Sequence, residues 1–211
     1  MKLAIFGATG GTGQLLVRRA LDLGHQVTAV VRDPARLAID HPALATVVAD
    51  VFDADSLRPV LDGHDAALSA LGPNGRKDTT GVCSAAVHAI LEAMDATGVR
   101  RVIALSAQPV LRGGAGEPLW LRITLLPVIR AVYRTVYADL DRMERALAAS
   151  TTDWTVVRPG FLSGKPPTGR YRTAIEANVP GSITRADLAQ AVLDVLDDST
   201  TIRHAVGVAG G

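Results

Sequence analysis

The sequence predicts an α/β fold, a doubly wound parallel sheet with helices on both faces and a small substrate region built from the C-terminal loops. Three observations predict it. Short apolar runs alternate with longer helical patterns from the start, the runs are almost entirely Val, Ile, Leu and Ala, and a glycine-rich turn joins the first run to the first helical segment. Strands covered by helices on both faces read as continuous apolar runs, whereas a sheet with one wet face alternates apolar and polar residues.

The first strand, Leu3 to Phe6, ends at Gly7, and Gly11 to Leu23 reads as a helix closed by Gly24. Glycine is favoured there because the residue after the last turn adopts a left-handed conformation. Gln26 to Val31 is the second strand, followed by a short turn over Pro34 to Ala38. Thr46 to Ala49 is the third, with a helix over Ser56 to Leu61 behind it. Ala66 to Leu71 is the fourth strand, Thr79 to Thr97 a helix closed by Gly98, and Arg101 to Leu105 the fifth strand. A helix over roughly Val128 to Ala149 and a sixth strand, Thr155 to Val157, come next. Thr184-Arg185-Ala186-Asp187 has capping-box spacing: the Thr184 hydroxyl can accept the Asp187 amide while the Asp187 side chain reaches back. A final helix over Arg185 to Leu196 follows. Glycine and proline gather in the loops Gly72 to Gly75, Gly113 to Pro118 and Gly160 to Gly169. Loops at the carboxyl ends of parallel strands build the ligand crevice, so function is expected there.

Composition narrows the classes of function. The 22 basic and 21 acidic side chains leave a net charge of +1, which gives no field toward nucleic acid or an anionic membrane. Aromatic residues at 4% are too few for a base-stacking platform. A single cysteine, Cys83, excludes an internal disulfide and a Cys-rich metal site, suits a reducing compartment, and falls in an apolar helix where packing is expected. His25, His41, His64, His88 and His204 have no metal-ligand spacing, so no metal is expected. The apolar start at Met1 stops at Gly7, short of a secretory signal. Leu119 to Tyr137 is interrupted by Arg122, Pro127, Arg130 and Arg134, short of the roughly 20-residue run of a membrane helix. The expectation is a cytoplasmic protein, monomer or homodimer, whose partner is a small molecule and neither nucleic acid nor membrane. Asp139, Asp141 and Glu144, interleaved with Arg142 and Arg145, read as a solvated helix face with local ion pairs.

Gly7-Ala8-Thr9-Gly10-Gly11-Thr12-Gly13 follows the first strand and opens the first helix, which makes it a Rossmann-type turn. Gly7 allows the tight turn, Gly10 lets a pyrophosphate approach the backbone, and Gly13 lets helix and strand pack closely. Thr9, Gly11 and Thr12 complete the cradle, at the positive end of the helix dipole. At the end of the second strand, an NAD site usually carries an acid and an NADP site a cation. Arg32, with Arg36 four residues on, favours NADP(H); Asp33 either caps the turn or points inward, which keeps NAD(H) open. Asp50 and Val51 are placed against the adenine, with Asp50 also a candidate cap for the next helix. Leu71 and Gly72, in the small-residue stretch Ser69 to Pro73, permit close passage of the cofactor.

Gly7-Ala8-Thr9-Gly10 with Gly13, Val31-Arg32-Asp33, Gly98-Val99-Arg100-Arg101-Val102 leading to Leu105-Ser106-Ala107, Asp153 to Gly160, and Ile183 to Ala189 together resemble the atypical short-chain dehydrogenase/reductases. More narrowly they resemble the NAD(P)H-binding, NmrA-like branch that includes flavin reductase-like enzymes. The resemblance spans nearly the whole chain. It implies a single NAD(P)-binding Rossmann domain over 1–211, with a sheet of about seven strands. Its substrate region comes from about 107–137 and 159–183. It also implies that Ser106 sits beside the nicotinamide and that Pro159, Gly160 and Phe161 lie against the cofactor. Read locally, Ser106 is a strand-end serine bonded to neighbouring backbone. The histidine that flavin reductase-like members carry after the sixth strand is absent, and Phe161 stands there as a wall for a planar acceptor.

Most short-chain dehydrogenases acting on alcohols or ketones use Tyr-x-x-x-Lys, the lysine lowering the tyrosine pKa for proton exchange. Four residues after Tyr133, Tyr137 and Tyr171 come Tyr137, Asp141 and Ile175, and no lysine lies between Lys77 and Lys165. Two readings follow. In one, NADPH passes hydride to a flavin-like, quinone-like or other conjugated acceptor, with Ser106 orienting it and Tyr137, Tyr133 or Arg130 as side-chain donors. In the other, the domain binds NADP(H) without turnover and reports redox state to a partner, through a patch around Trp120, Leu121, Ile123, Leu125 and Leu126 that otherwise serves as an apolar lid. A non-redox biosynthetic role on the same scaffold is a third alternative.

Overall fold

The computed structural model describes residues 1–73, 75, 78–111 and 115–211, with Arg122 described by its backbone alone. Lys77 and parts of the expected loops Gly72 to Gly75 and Gly113 to Pro118 lie outside the described residues. The elements in chain order are β1 (Lys2–Phe6), α1 (Gly11–Asp22), β2 (Gln26–Val31), β3 (Leu44–Val48), α2 (Ala54–Leu61), β4 (Ala66–Ser69), α3 (Val82–Thr97) and β5 (Arg101–Leu105). Then follow α4 (Leu119–Ile123), α5 (Leu125–Val132), α6 (Arg134–Ala149), β6 (Asp153–Pro159), β7 (Phe161–Ser163), β8 (Tyr171–Ile175), β9 (Ser182–Thr184), α7 (Arg185–Asp197) and β10 (His204–Gly210).

An eight-stranded sheet runs in the order β3-β2-β1-β4-β5-β6-β10-β8, and β7 and β9 pair separately. Every pairing in the large sheet is parallel except that of β8 with β10. The order reverses at β1, where Ile5 faces Ala29 of β2 on one side and Leu68 of β4 on the other. At such a switch point the connections leave in opposite directions and open a crevice at the strand ends.

The continuous apolar strands follow from two cores. Successive side chains point to opposite faces, so Ala4 and Phe6 join a cluster with Leu57, Leu61, Ile90, Met94, Met143 and Leu147 from α2, α3 and α6. Leu3 and Ile5 join the opposite cluster with Leu16 of α1 and Leu188 of α7. Each Leu, Ile, Met or Phe among them contributes about 1.5–3 kcal/mol on full burial, so losing one face of β1 would be severe.

The expected helix ends at Gly24 and Gly98 hold, with φ of +82° and +77°. At Gly24 the closure is a paired one: its amide donates to Leu21 O and that of His25 to Ala20 O. Elsewhere the sequence reading is corrected. The single helix expected over Val128 to Ala149 is two, α5 and α6, separated at Tyr133 (φ −107°, ψ 28°), with the short α4 before them. Pro127 sits in the first turn of α5, where its missing N–H breaks no helical bond. The helix expected from Thr79 starts at Val82, because Gly81 at φ +66° holds the chain in a left-handed turn first. The fourth strand stops at Ser69 instead of Leu71. Four strands were not anticipated. Two, β7 and β9, have three residues each, too short for a periodicity. The edge strand β8 has no buried residue, and β10 carries Gly207, where a Cβ would stand 2.1 Å from Ala177 O. Among the described residues, no helix is long and apolar enough to cross a membrane.

Candidate functional site

The turn after β1 is bare backbone by necessity. Gly7 has φ +76°, and a Cβ on it would lie 2.6 Å from Ala70 O; one on Gly13 would lie 2.0 Å from Gly7 O. Gly10 supplies no side-chain cap to α1, whose first turn holds no acidic residue. The first amides of a helix have no intrahelical acceptor, so those of Gly11, Thr12 and Gly13 face outward with the positive end of the dipole. This cradle fits a phosphate group.

Beside it lies a cavity of about 630 Å³ lined by Gly7, Thr9, Gly10, Arg32, Arg36, Val51, Leu71 and Gly72, all expected from the sequence, and by Val30, Val31, Phe52, Ala70, Asp78, Thr80, Val82 and Ala85. Arg32 directly follows β2 and Arg36 ends the short helical turn behind it. The Asp33 carboxylate accepts the Ala35 amide at 3.1 Å and is outside the cavity wall, so it caps the turn. Asp50 is also outside the wall. Its carboxylate accepts the Phe52 amide at 2.9 Å, and the cap of α2 is Asp53, accepting the Asp55 amide at 3.1 Å, which corrects the expectation for Asp50. That tight turn presents Val51 and the half-exposed Phe52 ring to the cavity. Phe52 was not among the residues expected from the sequence, although an aromatic side chain beside Val51 is a readable signal for a planar base.

The far wall is the N-terminus of α3, held from another helix. Asp139 of α6 accepts the amides of Cys83 (2.9 Å) and Ser84 (3.2 Å) and the Ser84 hydroxyl (2.5 Å). It is buried, which corrects the solvated-face reading; α3 has only Gly81 at its own cap position and takes its carboxylate from its neighbour. Burial, with Asp139 and Asp78 nearby, pushes the Cys83 thiol up to about 12.

The remaining expected site residues, Gly11, Thr12, Gly13, Ser106, Tyr137, Pro159, Gly160 and Phe161, do not line the cavity. Ser106 follows β5, buried, with its amide donating to Val157 O at 2.8 Å. Its hydroxyl donates to Glu144 Oε1 at 2.5 Å instead of to backbone. Arg158 of β6 donates to the same carboxylate through Nε (3.1 Å) and Nη2 (2.5 Å), and the two charged side chains are only 10% and 11% exposed. Glu144 is thus a second correction to the solvated-face reading, and neither it nor Arg158 was singled out as functional. The Arg158 fork and the Ser106 hydroxyl thus share one carboxylate, and the Ser106 proton is committed to it.

Tyr137 is half-buried, its ring 6.0 Å from that of Tyr133. Burial and then Tyr133 push its phenol above the ordinary tyrosine value against a smaller pull from Arg130, the opposite of what a catalytic tyrosine beside lysine experiences. Arg130 itself donates to Pro109 O at 2.8 Å and Leu111 O at 2.7 Å, which occupies it structurally. Gly160 lets β6 pass close to Gly181, whose O would be 2.2 Å from a Cβ there, and Phe161 stands 65% exposed on β7.

A family profile described as NAD(P)H-binding matches residues 7–199. The chain belongs to that NAD(P)H-binding family. An uncharacterized chloroplastic protein of Arabidopsis thaliana is 30% identical, the match covering 92% of this chain and 71% of the relative. An uncharacterized sugar epimerase of Bacillus subtilis is 26% identical over 100% of this chain and 95% of its own. A short-chain dehydrogenase/reductase of Veillonella parvula, solved in complex with NADP, shares the fold at a TM-score of 0.82 and 20% identity, over 99% of this chain and 94% of that one. The atypical short-chain dehydrogenase/reductase resemblance agrees with this NAD(P)H-binding membership.

Proposed function

We propose that the protein is an NADPH-dependent oxidoreductase that passes hydride to a flavin-like, quinone-like or other conjugated small molecule. One observation carries the cofactor choice: Arg32 and Arg36 both enter the cavity wall while Asp33 is turned away into a cap. Two cations and no facing carboxylate from that turn suit a 2′-phosphate. The amides of Gly11, Thr12 and Gly13 hold the diphosphate, and Val51 and Phe52 flank the adenine. NADPH, when bound, supplies the hydride. Ser106, fixed by Glu144, accepts a hydrogen bond from the nicotinamide carboxamide or from the acceptor and orients it. No Tyr-x-x-x-Lys pair occurs in the chain, and burial makes Tyr137 a reluctant participant in proton exchange. An acceptor that delocalises the incoming electron pair and takes its proton from water needs no such acid. The loops at about 107–137 and 159–183, with Phe161 at their edge, form the acceptor region. The exposed apolar side chains Leu119, Trp120, Ile123 and Val128 favour a second reading, a redox sensor that presents this face to a partner.

Calorimetric titration with NADPH and NADH, for the wild type and Arg32→Ala, tests the cofactor assignment. The expected result is an NADPH preference of about tenfold or more, roughly 1.4 kcal/mol, that collapses in the variant. Equal affinities would overturn the phosphate-site assignment. Steady NADPH oxidation with free flavins or quinones supports the enzyme; tight binding with no turnover across that panel favours the sensor.

A further inference from the structure

Arg185, the first residue of α7, reaches across to the glycine-rich turn. Its Cδ and Nε lie 3.4 Å from where a Cβ on Gly11 would stand, and its Nη1 lies 3.9 Å from the corresponding position on Gly164. The guanidinium therefore runs over the outer shoulder of the α1 N-terminus toward the loop after β7. The side chain is half-buried, yet among the described residues it makes no hydrogen bond or ion pair. Other partly buried arginines are occupied: Arg158 grips Glu144, Arg130 holds two carbonyls, and Arg101 donates to Val195 O at 2.6 Å. An arginine fork left without an acceptor beside outward-facing helix amides calls for an anion.

The placement is fixed from both sides. The backbone of Arg185 is anchored because Thr184 caps α7, accepting the Asp187 amide at 3.0 Å. At Gly11 the arginine stem rests on the helix shoulder, 3.4 Å from where a Cβ would stand, an ordinary van der Waals contact. Arg32 and Arg36 line the cofactor cavity from the end of β2, whereas Arg185 lies outside its wall, on the α1 shoulder, held there by α7 packing on α1.

We propose that Arg185 is a further cofactor-binding residue, a cation that closes over the diphosphate of the dinucleotide from the α7 side. The inference rests on the cofactor site described above. It ties the glycine cradle to the segment carrying β7 and Phe161, so that diphosphate binding and the acceptor region share one contact.

The test compares Arg185→Ala, Arg185→Lys and Arg32→Ala with the wild type, titrating NADPH, NADH and 2′-AMP, the last carrying the 2′-phosphate without a diphosphate. Arg185→Ala is expected to weaken NADPH and NADH by the same factor, about tenfold, as loss of a charge-assisted bond does. Their ratio and the affinity for 2′-AMP stay unchanged, and Arg185→Lys recovers part of the loss. Arg32→Ala instead changes the ratio and weakens 2′-AMP. Because Arg185 makes no hydrogen bond or ion pair among the described residues, the ligand-free melting temperature of its variants should match the wild type. Unchanged dinucleotide affinity in Arg185→Ala, a loss confined to NADPH, or a loss shared by 2′-AMP overturns the inference. Failure of the wild type to bind either dinucleotide overturns the cofactor reading itself.

Discussion

Asp141 pairs with Arg145 at 2.7 Å on the wet side of α6, as its spacing suggests, while Asp139, two residues earlier, is buried at the start of α3 and Glu144 is largely covered between Ser106 and Arg158. The three acids look alike in the sequence. Their fates differ because the helix turns about 100° per residue, so Asp139, Leu140, Met143 and Leu147 share the buried face and Asp141 does not. Energies should separate accordingly. Glu144→Gln leaves Arg158 buried without its counter-charge and is expected to cost about 3–5 kcal/mol. Asp141→Ala should stay within about 0.5 kcal/mol. Ser106→Ala should cost at most about 1.5 kcal/mol, slow acceptor reduction, and leave NADPH affinity nearly intact. Urea midpoints and steady-state rates check all three; a Glu144→Gln protein as stable as the wild type would show that the buried pair is not holding β6 to α6.

At the scale of elements, the start of α7 combines a correct expectation with a corrected one. The Thr184 hydroxyl accepts the Asp187 amide as the capping box requires, but the Asp187 carboxylate does not return to the Thr184 amide. It takes the Thr184 hydroxyl (2.9 Å), the amides of Thr168 and Gly169 (both 2.9 Å at their shorter contacts) and the Thr168 hydroxyl (2.9 Å). It thereby fastens a loop nineteen residues upstream to the helix. Burial opposes ionisation of Asp187, but the bonds from Thr168, Thr184 and Gly169 outweigh it and hold the carboxyl below its ordinary value. A depressed folded-state pKa gives stability that is complete above the unfolded value of about 3.9 and is lost as pH falls through the folded value. Asp187→Asn should therefore be less stable by about 1–3 kcal/mol at pH 7. The gap to the wild type should narrow below about pH 4. Urea titrations at pH 7 and pH 3 test this, and a gap that stays constant would remove the ionised carboxylate as its cause. The break between α5 and α6 has no comparable local signal, since Tyr133 carries no proline or glycine beside it and the apolar pattern continues through it.

Across the whole molecule, one sheet links residues from β1 to β10, and the cavity proposed to hold the cofactor sits where that sheet reverses direction. Ligand binding at the centre should stabilise the whole unit. With NADPH at 100 times its dissociation constant, mass action adds about 2.7 kcal/mol. For a chain of this size, that corresponds to a rise in melting temperature of about 5–10 °C. NADH at the same concentration should raise it less; an equal rise would count against the roles of Arg32 and Arg36. The architecture and half of the candidate site were legible in local patterns of the chain. Apolar runs of strand length, helix-closing glycines at Gly24 and Gly98, and the spacing of Gly7, Gly10 and Gly13 are local features with local physical causes, and Arg32, Arg36, Val51, Leu71 and Gly72 follow from their positions at strand ends. Tertiary structure alone decided the rest. Which acid caps α3, that Glu144 and Arg158 meet behind Ser106, and that Arg185 lies on Gly11 all depend on contacts between residues far apart in the chain. Those contacts are fixed by how α6 and α7 pack on the sheet and on their neighbouring helices, which no short-range pattern encodes.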